Sequence, residues 1–152
     1  MRKTWLIIGY GNPLCGDDAI GILAAEALET LFADDDRITV TTAFQLLPEM
    51  ALDLAQVEFA LFIDASIEGT PGEIRIESVT PEPPGVYVGH ALTPAALIGL
   101  ANTLYGARAA ATLATVSGSQ FDLGSPVSPI VSAALPTLIE RDQLIDGNAK
   151  LG

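Results

Sequence analysis

The sequence predicts an α/β protein, a three-layer α/β/α sandwich on a mostly parallel sheet of about five strands with one antiparallel strand. Three observations predict it. Short β-branched or aromatic runs alternate with Ala/Leu-rich runs along the chain. The run Phe59–Ala65 (FALFIDA) is almost continuously apolar, as a central strand covered on both faces should be. At 152 residues and 49% hydrophobic composition, the chain suits one domain with a substantial core.

Each element has a local reason. Thr4–Gly9 reads as a buried strand. From Ile20 the apolar residues Leu23, Ala24, Ala27, Leu28 and Leu31 keep helical spacing, which predicts a helix from about Asp17 to Leu31. Ile38–Thr42 is a second strand, and Leu47, Met50, Ala51 and Leu54 form the apolar face of a short second helix. After the central strand, Glu68-Gly69-Thr70-Pro71-Gly72 is turn chemistry, and Glu73–Val79 alternates as a strand. So short a link favours antiparallel pairing, because a parallel crossover needs about a dozen residues. Residues 80–92, with Pro81, Pro83, Pro84 and Gly85, form the longest irregular segment. Thr93-Pro94 supplies an N-cap with proline at the first helical position, for a helix to about Tyr105. Ala110–Ser117 is the last strand. Ser128-Pro129 caps a final helix to about Leu144, which Pro136 should kink or divide. The tail after Asp146 should fray, and residues 1–152 carry no internal repeat or linker, so a single domain is expected.

Composition excludes several functions. Seven basic against nineteen acidic residues give a net charge of −12, and the basic residues are scattered from Arg2 to Lys150. No basic stripe exists to neutralise nucleic-acid phosphates, and an anionic membrane should repel the chain. The lone Cys15 excludes an intramolecular disulfide and a Cys-rich zinc site. The apolar stretch Trp5–Ile8 meets Gly9 too soon for a signal peptide, and no window is long enough for a membrane span. These features predict a cytoplasmic protein that binds neither nucleic acid nor membrane.

In open α/β sheets the site lies outside the carboxyl ends of the strands. Gly9-Tyr10-Gly11-Asn12-Pro13-Leu14-Cys15-Gly16-Asp17-Asp18 runs from the first strand into the first helix. Its glycines suggest a dinucleotide loop, but the third glycine of that motif would fall at Leu14. Asp17 and Asp18 also occupy the helix start where a pyrophosphate would sit, and carboxylates there suit a cation. Helix capping would explain one aspartate; a pair beside a Gly-rich turn points further. Asp64 ends the central strand, where an ionised carboxylate is costly without a partner, a metal or water. His90 is the only histidine. It ends the Pro-rich loop, whose ten or so residues can span about 30 Å and so return it to the carboxyl edge. Asp18, Asp64 and His90 can therefore converge as a three-ligand site for a divalent metal with an open position. Nucleophile alternatives fare less well. Ser117-Gly118-Ser119 lacks the nucleophile elbow, and Asp17 and Asp18 oppose a Cys15 thiolate paired with His90.

At these residues the chain resembles the hydrogenase maturation proteases, endopeptidases that process the large subunit of nickel–iron hydrogenases. The likeness lies in IIGYGNPLCGDDAIG at residues 7–21, QLLPEMALDLA at 45–55, FALFIDAS at 59–66 and GHALTP at 89–94. SGSQFDLGSPVSP at 117–129 is similar to one branch of the family. The resemblance implies a phosphorylase/hydrolase-like version of the sandwich, with Asp18, Asp64 and His90 as metal-binding and catalytic residues. It implies substrate-binding positions at Gly11, Asn12, Asp17 and Gln45. It further implies removal of a C-terminal extension from a hydrogenase large-subunit precursor, with nickel carried by that substrate and no nucleotide or organic cofactor. A non-catalytic nickel-recognition or chaperone module using the same three ligands is the alternative. Two positions depart from the family pattern: Ala19 replaces a common glycine, and Cys15 stands where a basic or polar residue is usual.

Overall fold

Residues 4–83 and 92–140 are described by the structure, a computed structural model. The strands are β1 (Trp5–Tyr10), β2 (Ile38–Ala43), β3 (Phe59–Ser66), β4 (Ile74–Val79) and β5 (Ala110–Ser117). The helices are α1 (Ile20–Leu31), α2 (Met50–Leu54), α3 (Pro94–Tyr105) and α4 (Pro129–Glu140). The strands form one sheet in the order β2-β1-β3-β5-β4, parallel except for β4, which runs antiparallel to β5.

The predicted sandwich is therefore present, and burial explains the hydropathy pattern. β1 and β3 sit inside the sheet and are covered on both faces, so their apolar runs are nearly continuous. On one face Trp5, Ile7, Leu61, Ile63 and Val116 pack with α1 and α4. On the other, Leu6, Ile8, Ala60 and Phe62 pack with α2 and α3. Alternate residues of each strand thus serve separate cores.

Three details differ from the sequence expectation. The helix predicted from Asp17 opens as a 3-10 turn over Gly16–Ala19 before α1 begins at Ile20. β4 is antiparallel as predicted, yet β5 lies between it and β3, because the Gly69–Gly72 turn crosses the end of β5. There the Gly72 amide donates to the Ser117 carbonyl at 2.7 Å, and the Gly118 amide to the Ser66 carbonyl at 2.9 Å. Pro136 does not divide α4. It sits on the exposed side, where the carbonyl its missing N–H leaves free, that of exposed Ser132, can reach water. By contrast, α3 starts as predicted: the Thr93 hydroxyl accepts from the Ala96 amide at 3.1 Å, with Pro94 following it.

The strand order places the topological switch point between β1 and β3. β1 leads through α1 to β2 on one side, while β3 continues the sheet on the other. Helix and sheet meet here through two glycines. A Cβ on Gly9 would lie 2.1 Å from the Gly21 carbonyl oxygen, and one on Gly21 would lie 2.4 Å from that of Ile63. Only hydrogen at both positions lets α1 seat directly on β1 and β3.

Candidate active site

The loop from β1 into α1 brings Asp18 over the carboxyl ends of the central strands. Gly11 has φ +146°, and a Cβ on it would lie 2.2 Å from the Asp18 carbonyl oxygen, so the loop closes on Asp18 only with glycine there. The Asn12 amide donates to Asp18 Oδ2 at 2.6 Å. The Asn12 side-chain oxygen accepts from the Leu14 amide at 2.9 Å, an Asx turn that shapes the loop from within. The expected substrate-binding residues Gly11 and Asn12 thus shape the backbone that carries Asp18.

Asp64 ends the buried part of β3. Its Oδ1 accepts from the Ala65 amide at 2.8 Å, and the Tyr10 phenol lies beside it on the neighbouring strand, lining the same cavity. Burial pushes the Asp64 carboxyl up to about 6; the Ala65 amide opposes the shift, the Asp18 charge adds to it, and the Tyr10 phenol opposes it. The Tyr10 phenol is itself pushed well above its usual range, first by burial and then by the charge of Asp64, with Asp18 contributing. Asp18, Asp64 and Tyr10 therefore feel one another's charge at the switch point. An acid poised near 6 beside a second carboxylate can hold or release a proton near neutral pH.

A cavity of about 560 Å³ opens at this place, lined by Tyr10, Asp64, Leu113, Glu77 and the start of α3 at Thr93 and Pro94. His90, expected beside Asp18 and Asp64, lies outside the described residues. Leu92, two positions after it, lines the same cavity. Among the described residues no group of three or more His, Cys, Asp or Glu side chains gathers to hold an ion. The carboxylates of Asp18 and Asp64 are hard oxygen donors, the type that suits a divalent cation.

Asp17, expected to bind substrate, turns into the protein. It is 0% exposed. Its Oδ1 accepts from the Ser128 amide at 2.7 Å, and its Oδ2 from the Ser119 amide at 2.7 Å, the Gln120 amide at 3.1 Å and the Ser128 hydroxyl at 2.9 Å. Burial alone would raise its pKa, but these donors outweigh burial and hold it below the ordinary carboxylate range. Asp17 is spent inside the protein, tying the 118–128 loop to the site. Gln45, by contrast, is exposed just after β2, at the carboxyl edge.

Sequence reasoning missed Tyr10 and the Asp17 partners Ser119, Gln120 and Ser128. The signal for Tyr10 was available: it lies two residues beyond Ile8 on β1, as Asp64 lies two beyond Phe62 on β3. No such signal exists for the Asp17 partners, which lie more than a hundred residues away.

No family model matches the chain, and no curated protein matches it. Among solved structures it is similar to a [NiFe] hydrogenase maturation protease, HycI, from Thermococcus kodakarensis KOD1, with TM-score 0.74, 23% identity, and 91% of this chain and 89% of that chain covered. It is also similar to the hydrogenase maturating endopeptidase HybD from E. coli, with TM-score 0.69, 24% identity and coverage of 96% and 93%. A hydrogenase 2 maturation peptidase from a Thaumarchaeota archaeon gives TM-score 0.68, 20% identity and coverage of 97% and 99%. These likenesses establish that the chain has the fold of those proteins along nearly its whole length.

Proposed function

We propose that this chain is an endopeptidase that removes the C-terminal extension of a nickel–iron hydrogenase large-subunit precursor after nickel insertion. The observation that carries the proposal is the pair Asp18 and Asp64 at the switch point, with Asp64 pushed up to about 6 in an open cavity. The resemblance of the motifs holding those residues supports it, as do the names of proteins sharing the fold. Among the described residues no helix is long and apolar enough to cross a membrane; we place the reaction in the cytoplasm.

In this proposal Asp18, Asp64 and His90 face the nickel that the precursor carries, and that nickel would supply positive charge near the scissile bond. The chemistry of the chain itself follows from its carboxylates. Asp64, ionised above about pH 6, takes a proton from water as the oxygen attacks the scissile carbonyl carbon. The same proton then passes to the leaving nitrogen as the C–N bond breaks, returning Asp64 to its ionised form. Asp18 places a second negative charge near Asp64, which adds to the rise of the Asp64 carboxyl. Gly11 and Asn12 hold Asp18 in place, and Gln45 meets the incoming tail at the rim.

Single-turnover cleavage of nickel-loaded precursor by wild type, Asp18→Asn and Asp64→Asn tests this reading. Each variant should lose cleavage by at least about a hundredfold, the usual scale for removing a general base. Full cleavage by Asp64→Asn would sink it. Nickel-dependent binding with no cleavage by wild type would favour a nickel-recognition module instead.

A further inference from the structure

The pairing of β1 with β3 puts Gly9 opposite Ile63, and the next residue on each strand is Tyr10 and Asp64. In parallel strands such neighbours project to the same face. That face is the α2/α3 side, since Ile8 and Phe62, two residues earlier on each strand, belong to its core. Tyr10 packs against that core, and both Tyr10 and Asp64 line the cavity beneath the start of α3. On that face the Tyr10 phenol is the donor beside Asp64 that acts on its carboxylate, while the Ala65 amide holds Oδ1 at 2.8 Å.

Both groups are neutral donors. Among the described residues, the ion pairs of Arg37 with Asp35 and of Arg75 with Glu73 lie elsewhere. This matters for chemistry. A cation beside Asp64 would orient it and also cancel its charge, leaving little attraction for a metal or a proton. A phenol and an amide orient the carboxylate and leave its charge to act. A half-buried phenol also needs an acceptor, so the two groups fix each other.

We propose that Tyr10 is a positioning residue that holds the Asp64 carboxylate in its working orientation without neutralising it. The proposal deepens the endopeptidase reading and rests on it for the reaction served. The rigid backbone makes the arrangement dependable: Gly21 lies so close to Tyr10 that a Cβ on it would stand 2.5 Å from the Tyr10 carbonyl oxygen. With its backbone paired to Ala43 of β2 and set against Gly21 of α1, Tyr10 presents the phenol from a fixed base.

Tyr10→Phe removes one oxygen and keeps the ring. Two measurements test the proposal, with thermal unfolding as the control for folding. The first uses neither precursor nor nickel: the side-chain carboxyl ¹³C resonance of Asp64, assigned by its loss in Asp64→Asn, should shift and broaden in Tyr10→Phe. The second is single-turnover cleavage of nickel-loaded precursor. Its rate should fall by about tenfold, the scale of one lost positioning hydrogen bond, with the precursor concentration for half-maximal rate unchanged. An unmoved Asp64 resonance overturns the proposal, and so does a moved resonance with an unchanged cleavage rate. If wild type itself cleaves nothing, the endopeptidase reading fails, and the Asp64 resonance alone decides whether Tyr10 orients the carboxylate.

Discussion

Asp64→Asn should make the protein more stable at neutral pH while removing its activity. In the folded chain burial pushes the Asp64 carboxyl from 3.8 to about 6. A rise of about two pKa units corresponds to about 3 kcal/mol between protonation states. Because the folded-state value is raised, the stability contributed by this group is fully present below about pH 4 and is lost as pH rises through about 6. Asparagine cannot ionise, yet it keeps a carbonyl oxygen for the Ala65 amide and the Tyr10 phenol. The variant should therefore match wild type near pH 4 and exceed it by about 2–3 kcal/mol at pH 8. In a chain of this size that is about 5–10 °C in Tm. Urea unfolding from pH 4 to 8 measures it, with chelator present to exclude metal and the fluorescence of Trp5, 1% exposed and stacked on Phe59, as the probe. A stability difference that does not change with pH, or a less stable variant at pH 8, would refute the reasoning.

The other predictions concern the scaffold. Asp17→Asn should cost about 2–4 kcal/mol at pH 7, because an amide NH₂ in either oxygen's place faces a donor. Since the folded-state pKa of Asp17 is lowered, its contribution is present above the ordinary carboxylate range and lost as pH falls below it, so urea unfolding of this variant should converge on wild type in acid. Gly21→Ala sets a methyl group against the backbone oxygens of Ile63 and Tyr10 at 2.4 and 2.5 Å. Its expected cost is about 1–3 kcal/mol in denaturant unfolding, with a slower cleavage rate as α1 lifts Asp18 from Asp64. Thr93→Ala removes the α3 cap and should cost about 1 kcal/mol by thermal unfolding.

What the sequence made legible was local or rested on a rule of the fold class. The Thr93-Pro94 cap, the helical spacing from Ile20 and the apolar FALFIDA run are each set by neighbouring residues, and each element stands where its signal lies. The strand-end rule, which needs only the topology, is what singles out Asp18 and Asp64 in the sequence. Long-range pairing was illegible. Nothing near Glu73–Val79 says that β5 will slip between it and β3, because that order is set by contacts with a strand more than thirty residues later. Asp17 looked like a twin of Asp18, and only the folded chain separates them. One faces donors from the 118–128 loop, while the other takes the Asn12 amide at the cavity end of β1. Tyr10 was hidden among glycines, and its meaning depends on the register of β1 against β3.

The most direct test of the central claim is the intact mass of the cognate hydrogenase large-subunit precursor after incubation with this protein, nickel-loaded and nickel-free. The loaded precursor alone should lose one C-terminal peptide, and Asp64→Asn should leave it whole. An unchanged mass for the loaded precursor with wild type, or equal cleavage of both forms, would contradict that claim.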